Sequence, residues 1–150
     1  MVDEEIIKRC EIFDVFPEDM IREVASIGIP LNYNKGQILF NFDDPANNFL
    51  ILISGRVDIL TTKGSLFIPV HSVKPGEAFA LSAMVTGRFV SAARAAEDSR
   101  VCALPVTKMN RILEKDYKVG FHFMKRIAAL VSGRILKVHY QLEAIDSGYR

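Results

Sequence analysis

The stretch Pro75 to Ala95, PGEAFALSAMVTGRFVSAARA, places turn-forming, small and basic residues in an order that suits anion binding. A Pro-Gly turn leads into Phe79, read as the packing anchor of the next turn. Ala80, Leu81, Ser82 and Ala83 then predict a one-turn helix. The first backbone N–H groups of a helical turn lack partners within it and point outward, ready for an anion. Arg88 supplies countercharge in this reading, and Phe89, Val90 and Ser91 open a strand beside it. The alternative for Arg88 is an ordinary solvated surface charge.

Other chemistry has weaker support. His71, His122 and His139 form no H-x-H or H-x-x-x-H pair, and no cysteine stands at ligand spacing, so no metal site is expected. A cupin-like metal enzyme needs clustered histidines and carboxylates on strands, and only His71 qualifies by place. Asp43 and Asp44 read as a turn, where Asp bonds its own backbone. No G-x-S-x-G motif occurs. No catalytic residue is assigned, and the expectation is a protein that is not an enzyme.

Composition bounds the partners. The chain has 150 residues, 49% of them hydrophobic, which suffices for one domain with a real core. The 19 basic residues balance 18 acidic ones, leaving no broad field for nucleic acid or an anionic membrane. No apolar run is long enough to span a bilayer. The start, MVDEEIIKRC, lacks the apolar core of a signal peptide. Cys10 and Cys102 lie far apart with no CxxC pair and read as reduced thiols in a cytoplasmic protein, a disulfide between them being disfavoured.

The elements that must position the cassette follow from periodicity. Residues 3–12 and 17–27 predict two short helices, with Pro17 at the first turn of the second and Gly28 past its end. Residues 29–104 carry short apolar runs separated by turns such as Ser54-Gly55, Lys63-Gly64 and Pro75-Gly76, predicting a sandwich or barrel. Phe49 to Ile53 is apolar throughout, as in a strand buried on both faces, and Pro69 marks an edge or a bulge. Helical period returns over 106–145, with Gly120 separating a short helix from a long one and Asp146 to Arg150 read as a frayed tail.

In the long helix Ala128, Val131, Ile135, Val138, Leu142 and Ile145 repeat at heptad spacing. Phe123, Ile127 and Leu130 form a second stripe. The second stripe is expected to pack on the β-body. The first is expected to pair with a second copy, because its far end has little domain left to cover. The alternative is one wide face packed only on its own domain.

Two helices, a β-roll with a short internal helix and a long C-terminal helix resemble, in that order, the cyclic-nucleotide-binding domain family. Ile12-Phe13 with Phe16-Pro17-Glu18 resembles its entry helix, and Lys35 to Phe40 its second strand. Asp44 to Asn47, Phe49 to Ile53 and Gly55 to Ile59 resemble its most regular hairpin. The implied fold is mostly β with flanking helices: a double-stranded β-helix, or jelly-roll-like β-roll, forming one domain over 1–150.

The resemblance also implies a ligand, cAMP or cGMP, held by a phosphate cassette of pattern Phe-Gly-Glu-Leu-Ala-Leu followed by Pro-Arg-x-Ala-Thr/Ser. Phe79 matches. Ala80 stands at the Gly position and Leu81 at the Glu position, which in the family accepts the ribose 2′-hydroxyl. Arg88 matches the phosphate arginine if the loop is shortened, with Arg94 as the fallback, and Ser91 stands where the family places a Thr or Ser near the phosphate or base. Leu81 leaves the ribose hydroxyl unpaired, a loss of roughly 1–3 kcal/mol and hence about one to two decades of affinity.

The expected function is a regulatory sensor with a degenerate cassette, in which the backbone of Ala80 to Ala83 cradles phosphate and a homodimer formed through the C-terminal helix passes the signal on. The domain by itself is expected to contact neither nucleic acid nor membrane. The alternatives are a silent pocket kept for dimerisation or protein interaction, and a sensor of a different small ligand.

Overall fold

Two apolar runs of this chain are continuous because both of their faces are buried. The computed structural model of the protein describes residues 1–63 and 65–148. Its eight strands are β1 (Ile29–Tyr33), β2 (Ile38–Phe40), β3 (Asn48–Ser54), β4 (Val57–Lys63), β5 (Leu66–Val73), β6 (Ala78–Phe79), β7 (Ala92–Ala95) and β8 (Ser99–Pro105). They form two four-stranded antiparallel sheets, ordered β1-β8-β3-β6 and β2-β7-β4-β5. Along a strand successive side chains point to opposite faces. Phe49 and Ile51 of β3 and Cys102 and Leu104 of β8 enter one core. Leu50 and Leu52, with Val101 and Ala103, enter a second core between the two sheets.

The helices close the first core. They are α1 (Glu4–Lys8), α2 (Glu18–Ile27), α3 (Val106–Glu114) and α4 (Tyr117–Gly148). The first predicted helix is shorter than expected: extended backbone at Cys10 stops it, and a 3-10 turn over Glu11–Phe13 comes next. Pro17 caps α2 from just outside, and Gly28 ends it as predicted. The edge expectation for Pro69 holds, since β5 lies at the rim of its sheet with a register shift opposite Ile59 and Leu60. The glycine of the Lys63-Gly64 turn, and Tyr149 and Arg150 of the predicted tail, lie outside the described residues. The rest of that tail, Asp146 to Gly148, continues α4.

Gly120 does not separate the last two helices. The break falls at Lys115 and Asp116, where Asp116 Oδ1 accepts the N–H groups of Lys118 and Val119 at 3.1 and 3.2 Å. Gly120 instead allows α4 to cross α3 closely, for a Cβ there would sit 3.3 Å from the Leu113 carbonyl oxygen.

The stripes of α4 need a correction. Phe123 and Ile127 are fully buried in the first core, as expected. The heptad seam, however, is mostly used by the chain itself. Val131 packs on the first core, while Val138, Leu142 and Ile145 pack on the second. A helix of 32 residues is about 48 Å long, enough to run on past the first core and lie against β5. Of the seam only Ala128 and Ile135 stay exposed, beside exposed Leu136 and Tyr140.

Both cysteines are free and buried. Burial pushes the Cys10 thiol up to about 12 and the Cys102 thiol up to about 11. Among the described residues no helix is long and apolar enough to cross a membrane.

Phe123 is the residue that joins α4 to the rest. Its ring centroid lies 5.3 Å from Phe13, 5.6 Å from Phe16 and 6.1 Å from Phe49. Phe123→Ala is expected to cost about 3–5 kcal/mol, read as a lower urea midpoint with an unchanged slope.

Candidate functional site

The cassette forms where the chain leaves the second core. Phe79 is fully buried there and its ring lies 6.4 Å from that of Phe40, which makes it the expected anchor. Ala80 then adopts the left-handed conformation, with φ at 60°. Only Gly is at ease there, so a side chain at this position stores on the order of 1 kcal/mol. A 3-10 turn comes next over Leu81–Met84, in the predicted place. The Ala83 N–H donates to the Ala80 carbonyl at 3.2 Å, so that amide is already engaged within the turn.

Arg88 does not face the cassette. The loop 43–46 pairs with 87–89: Asp43 N–H donates to the Phe89 carbonyl at 2.8 Å, Phe89 N–H to the Asp44 carbonyl at 3.0 Å, and Ala46 N–H to the Gly87 carbonyl at 2.8 Å. Extended backbone alternates its side chains. Phe89 therefore turns inward and stacks on Phe40, with centroids 4.0 Å apart and planes 8° from parallel. Arg88 turns outward, where its exposed guanidinium donates to the Asp43 carbonyl at 2.6 Å. The expected countercharge is thus a clamp on a neighbouring loop. Arg94, the fallback, is half-buried in the middle of β7 opposite Asp58, and it lines neither of the two cavities beside α4.

Between the cassette and α4 lies a cavity of about 360 Å³. Ala80, Leu81, Ser82, Phe89, Val90 and Ser91 line it from the cassette side. Val131, Arg134, Ile135 and Val138 line it from α4. Ser91 is half-buried at the wall and Val90 is exposed at the mouth. Phe79 and Ala83 sit behind the wall in the cores. Leu81 is 3% exposed and belongs to the first core as well as to the wall.

Four polar groups whose joint role sequence reasoning missed tie this site to α4. His71 Nε2 and Glu77 Oε2 are 2.8 Å apart, and Lys137 Nζ lies 2.8 Å from His71 Nδ1. With Lys137 donating to Nδ1, the neutral ring donates from Nε2 to the Glu77 carboxylate. Arg134 Nη2 donates to the carbonyl of Ala78, the residue before Phe79. One signal for them was present: a basic residue at 134 interrupts the apolar stripe between Val131 and Ile135. Burial lowers the His71 pKa below its ordinary 6.5, and Arg134 and Lys137 push the same way against Glu77.

Two outcomes are expected from this geometry. Leu81→Glu places a carboxylate in a core and is expected to cost at least about 3 kcal/mol, seen in the urea midpoint. For His71 the folded pKa is depressed, so the unfolded chain binds the extra proton first. Its contribution to stability is complete above 6.5 and is lost as pH falls below that value. The thermal midpoint is expected to fall between about pH 7 and pH 5, and His71→Gln is expected to make that fall shallower.

The comparisons with known proteins agree with this architecture. Among solved structures, a cyclic nucleotide-binding protein of Geobacter metallireducens is 24% identical with a TM-score of 0.76, over 90% of this chain and 99% of that one. The sensor domain of the transcriptional regulator DNR from Pseudomonas aeruginosa is 21% identical with a TM-score of 0.75, over 88% and 90%. The regulatory domain of Toxoplasma gondii PKA, solved with cAMP, is 18% identical with a TM-score of 0.69, over 73% and 42%. No curated protein matches the chain. Residues 30–116 match the model of the cyclic nucleotide-binding domain, a span running from β1 through the cassette to the end of α3, and the chain belongs to that family.

Proposed function

We propose that the chain is a regulatory sensor domain, not an enzyme, in which a ligand in the cassette cavity biases the placement of α4 and the helix carries the signal through a homodimer. One observation carries this reading: the cassette and α4 share the walls of a cavity and are joined by hydrogen bonds. An occupant touching Ser82 and Phe89 on one side meets Val131 and Ile135 on the other. Arg134 meanwhile holds the strand that opens the cassette. A ligand shifts α4 only by binding one of its placements better than another, and an occupant on this wall has that opportunity.

Family membership points to cAMP or cGMP as the first ligands to test. The cassette is degenerate for them. Leu81 offers no acceptor to a ribose hydroxyl, and Arg88 faces the solvent with the Asp43 carbonyl. The apolar Leu81 wall is also what favours a second reading, a silent pocket kept for dimerisation. For the dimer, support comes from the exposed part of α4, where Ile135, Leu136 and Tyr140 are 64%, 51% and 62% exposed in the single chain. Two free thiols fit a cytoplasmic setting.

Calorimetry with cAMP and cGMP, paired with amide exchange over residues 131–138, tests the ligand. Weak binding that slows exchange there is expected. Neither heat nor protection at millimolar nucleotide rejects cyclic nucleotides. For the dimer, Ile135→Glu alters an exposed residue and is expected to convert a dimer into a monomer in sedimentation, raising its dissociation constant at least about tenfold. A monomeric wild-type chain, or an unchanged mass in the variant, rejects the pairing.

A further inference from the structure

The cavity walls are mostly apolar, with hydrogen-bonding side chains at Thr61, His71, Ser82, Thr86 and Ser91. Phe89 is stacked on Phe40 at one side, and Ile59, Val131 and Val138 stand around them. No carboxylate lines the cavity, and among the described residues its single permanently charged group is Arg134. A guanidinium has five N–H donors. The hydrogen bond found for Arg134 among the described residues goes to the Ala78 carbonyl. None of its nitrogens is sealed away without a partner, and the residue lines both this cavity and a second space.

Arg134 borders two such spaces. The second, a cleft of about 500 Å³, is lined by Arg9 and Lys137 as well as by Glu11 and Glu77, so an anion there would sit among carboxylates as well as cations. The cassette cavity has no carboxylate in its lining, although Glu77 acts on Arg134 from the cleft. It is also the apolar one, so a charge-assisted bond there is shielded from water and gains strength.

We propose that the cavity takes a small aromatic acid, with a fused or substituted ring against Phe89 and the apolar side chains of α4, and its carboxylate on Arg134. The proposal rests on the reading of this cavity as the sensor's ligand site. Size agrees: an apolar cavity of about 150 Å³ holds benzene, and this one, at about 360 Å³, has room for two fused rings and a carboxylate. Chemistry agrees as well. An aryl acid brings an apolar ring to the apolar side chains of the wall and a single carboxylate, and Arg134 answers it. Because Arg134 also grips Ala78, a carboxylate arriving there acts on the link between cassette and helix.

The test compares sodium 2-naphthoate, uncharged 2-naphthalenemethanol and cAMP on the full chain, by calorimetry and by amide exchange over 131–138. Naphthoate is expected to bind more tightly than the alcohol and to slow exchange. Arg134→Met is expected to weaken naphthoate by about 10- to 100-fold while changing the alcohol less than about threefold. Ser91→Phe, which fills the cavity and leaves Arg134 in place, is expected to abolish binding of both, and this keeps the test decisive if Arg134→Met fails to fold. Naphthoate binding no tighter than the alcohol overturns the acid. So does protection of α4 by cAMP without protection by naphthoate, and in that case the sensor reading stands. If no probe gives heat or protection, the acid and the cavity as ligand site fall together.

Discussion

A sheet buried on both faces is the constraint on which this molecule depends. β3 and β8 send alternate side chains into two separate cores. Neither core closes from the sheets alone. The helices must cover the outer face of β3 and β8, and they do so around the Phe13, Phe16, Phe49 and Phe123 cluster. That requirement fixes where α4 starts, and the length of α4 carries it on to the other core. The cassette is inserted between these two demands, which is why it has a helix as its far wall.

The same constraint separates the packing role of the cassette from its chemical role. Phe79 and Leu81 belong to the cores, and Ala80 between them takes the left-handed conformation that makes the turn. The inner edge of the turn, the Phe40–Phe89 pair and the helix line the cavity. Among the described residues the permanent charge lining the cavity comes from Arg134 of α4, and Arg88 of the cassette loop does not line it. The polar bridge of His71, Glu77 and Lys137 then makes the helix and the roll a single electrostatic unit at the place where they meet.

Much of this was legible in the chain because it depends on local rules. Continuous apolarity at Phe49 to Ile53 announced a strand with no wet face, and Pro69 announced a rim. The turn after Phe79 was readable from small residues behind a Pro-Gly pair. The direction of Arg88 was not legible, since it depends on loop 43–46 pairing with 87–89, a contact between residues more than 40 apart in sequence. One residue of register exchanges Arg88 for Phe89 at the inner wall. Likewise the heptad seam could be seen but not assigned: its period says that a partner exists, and only the fold says that β5 and the second core take most of it. Arg134 and Lys137 gain meaning only when His71 and Ala78, about 60 residues earlier, are brought to them.

The state of the two thiols has a consequence for what kind of information the domain can receive. The chain has 2 cysteines, and burial holds both in the protonated form. With burial raising Cys10 to about 12, its thiol stays protonated at neutral pH. Peroxides and electrophiles react with thiolates, so neither position offers them a foothold while the cores are closed. An oxidant meeting this domain therefore does not enter through Cys10 or Cys102 while both stay buried.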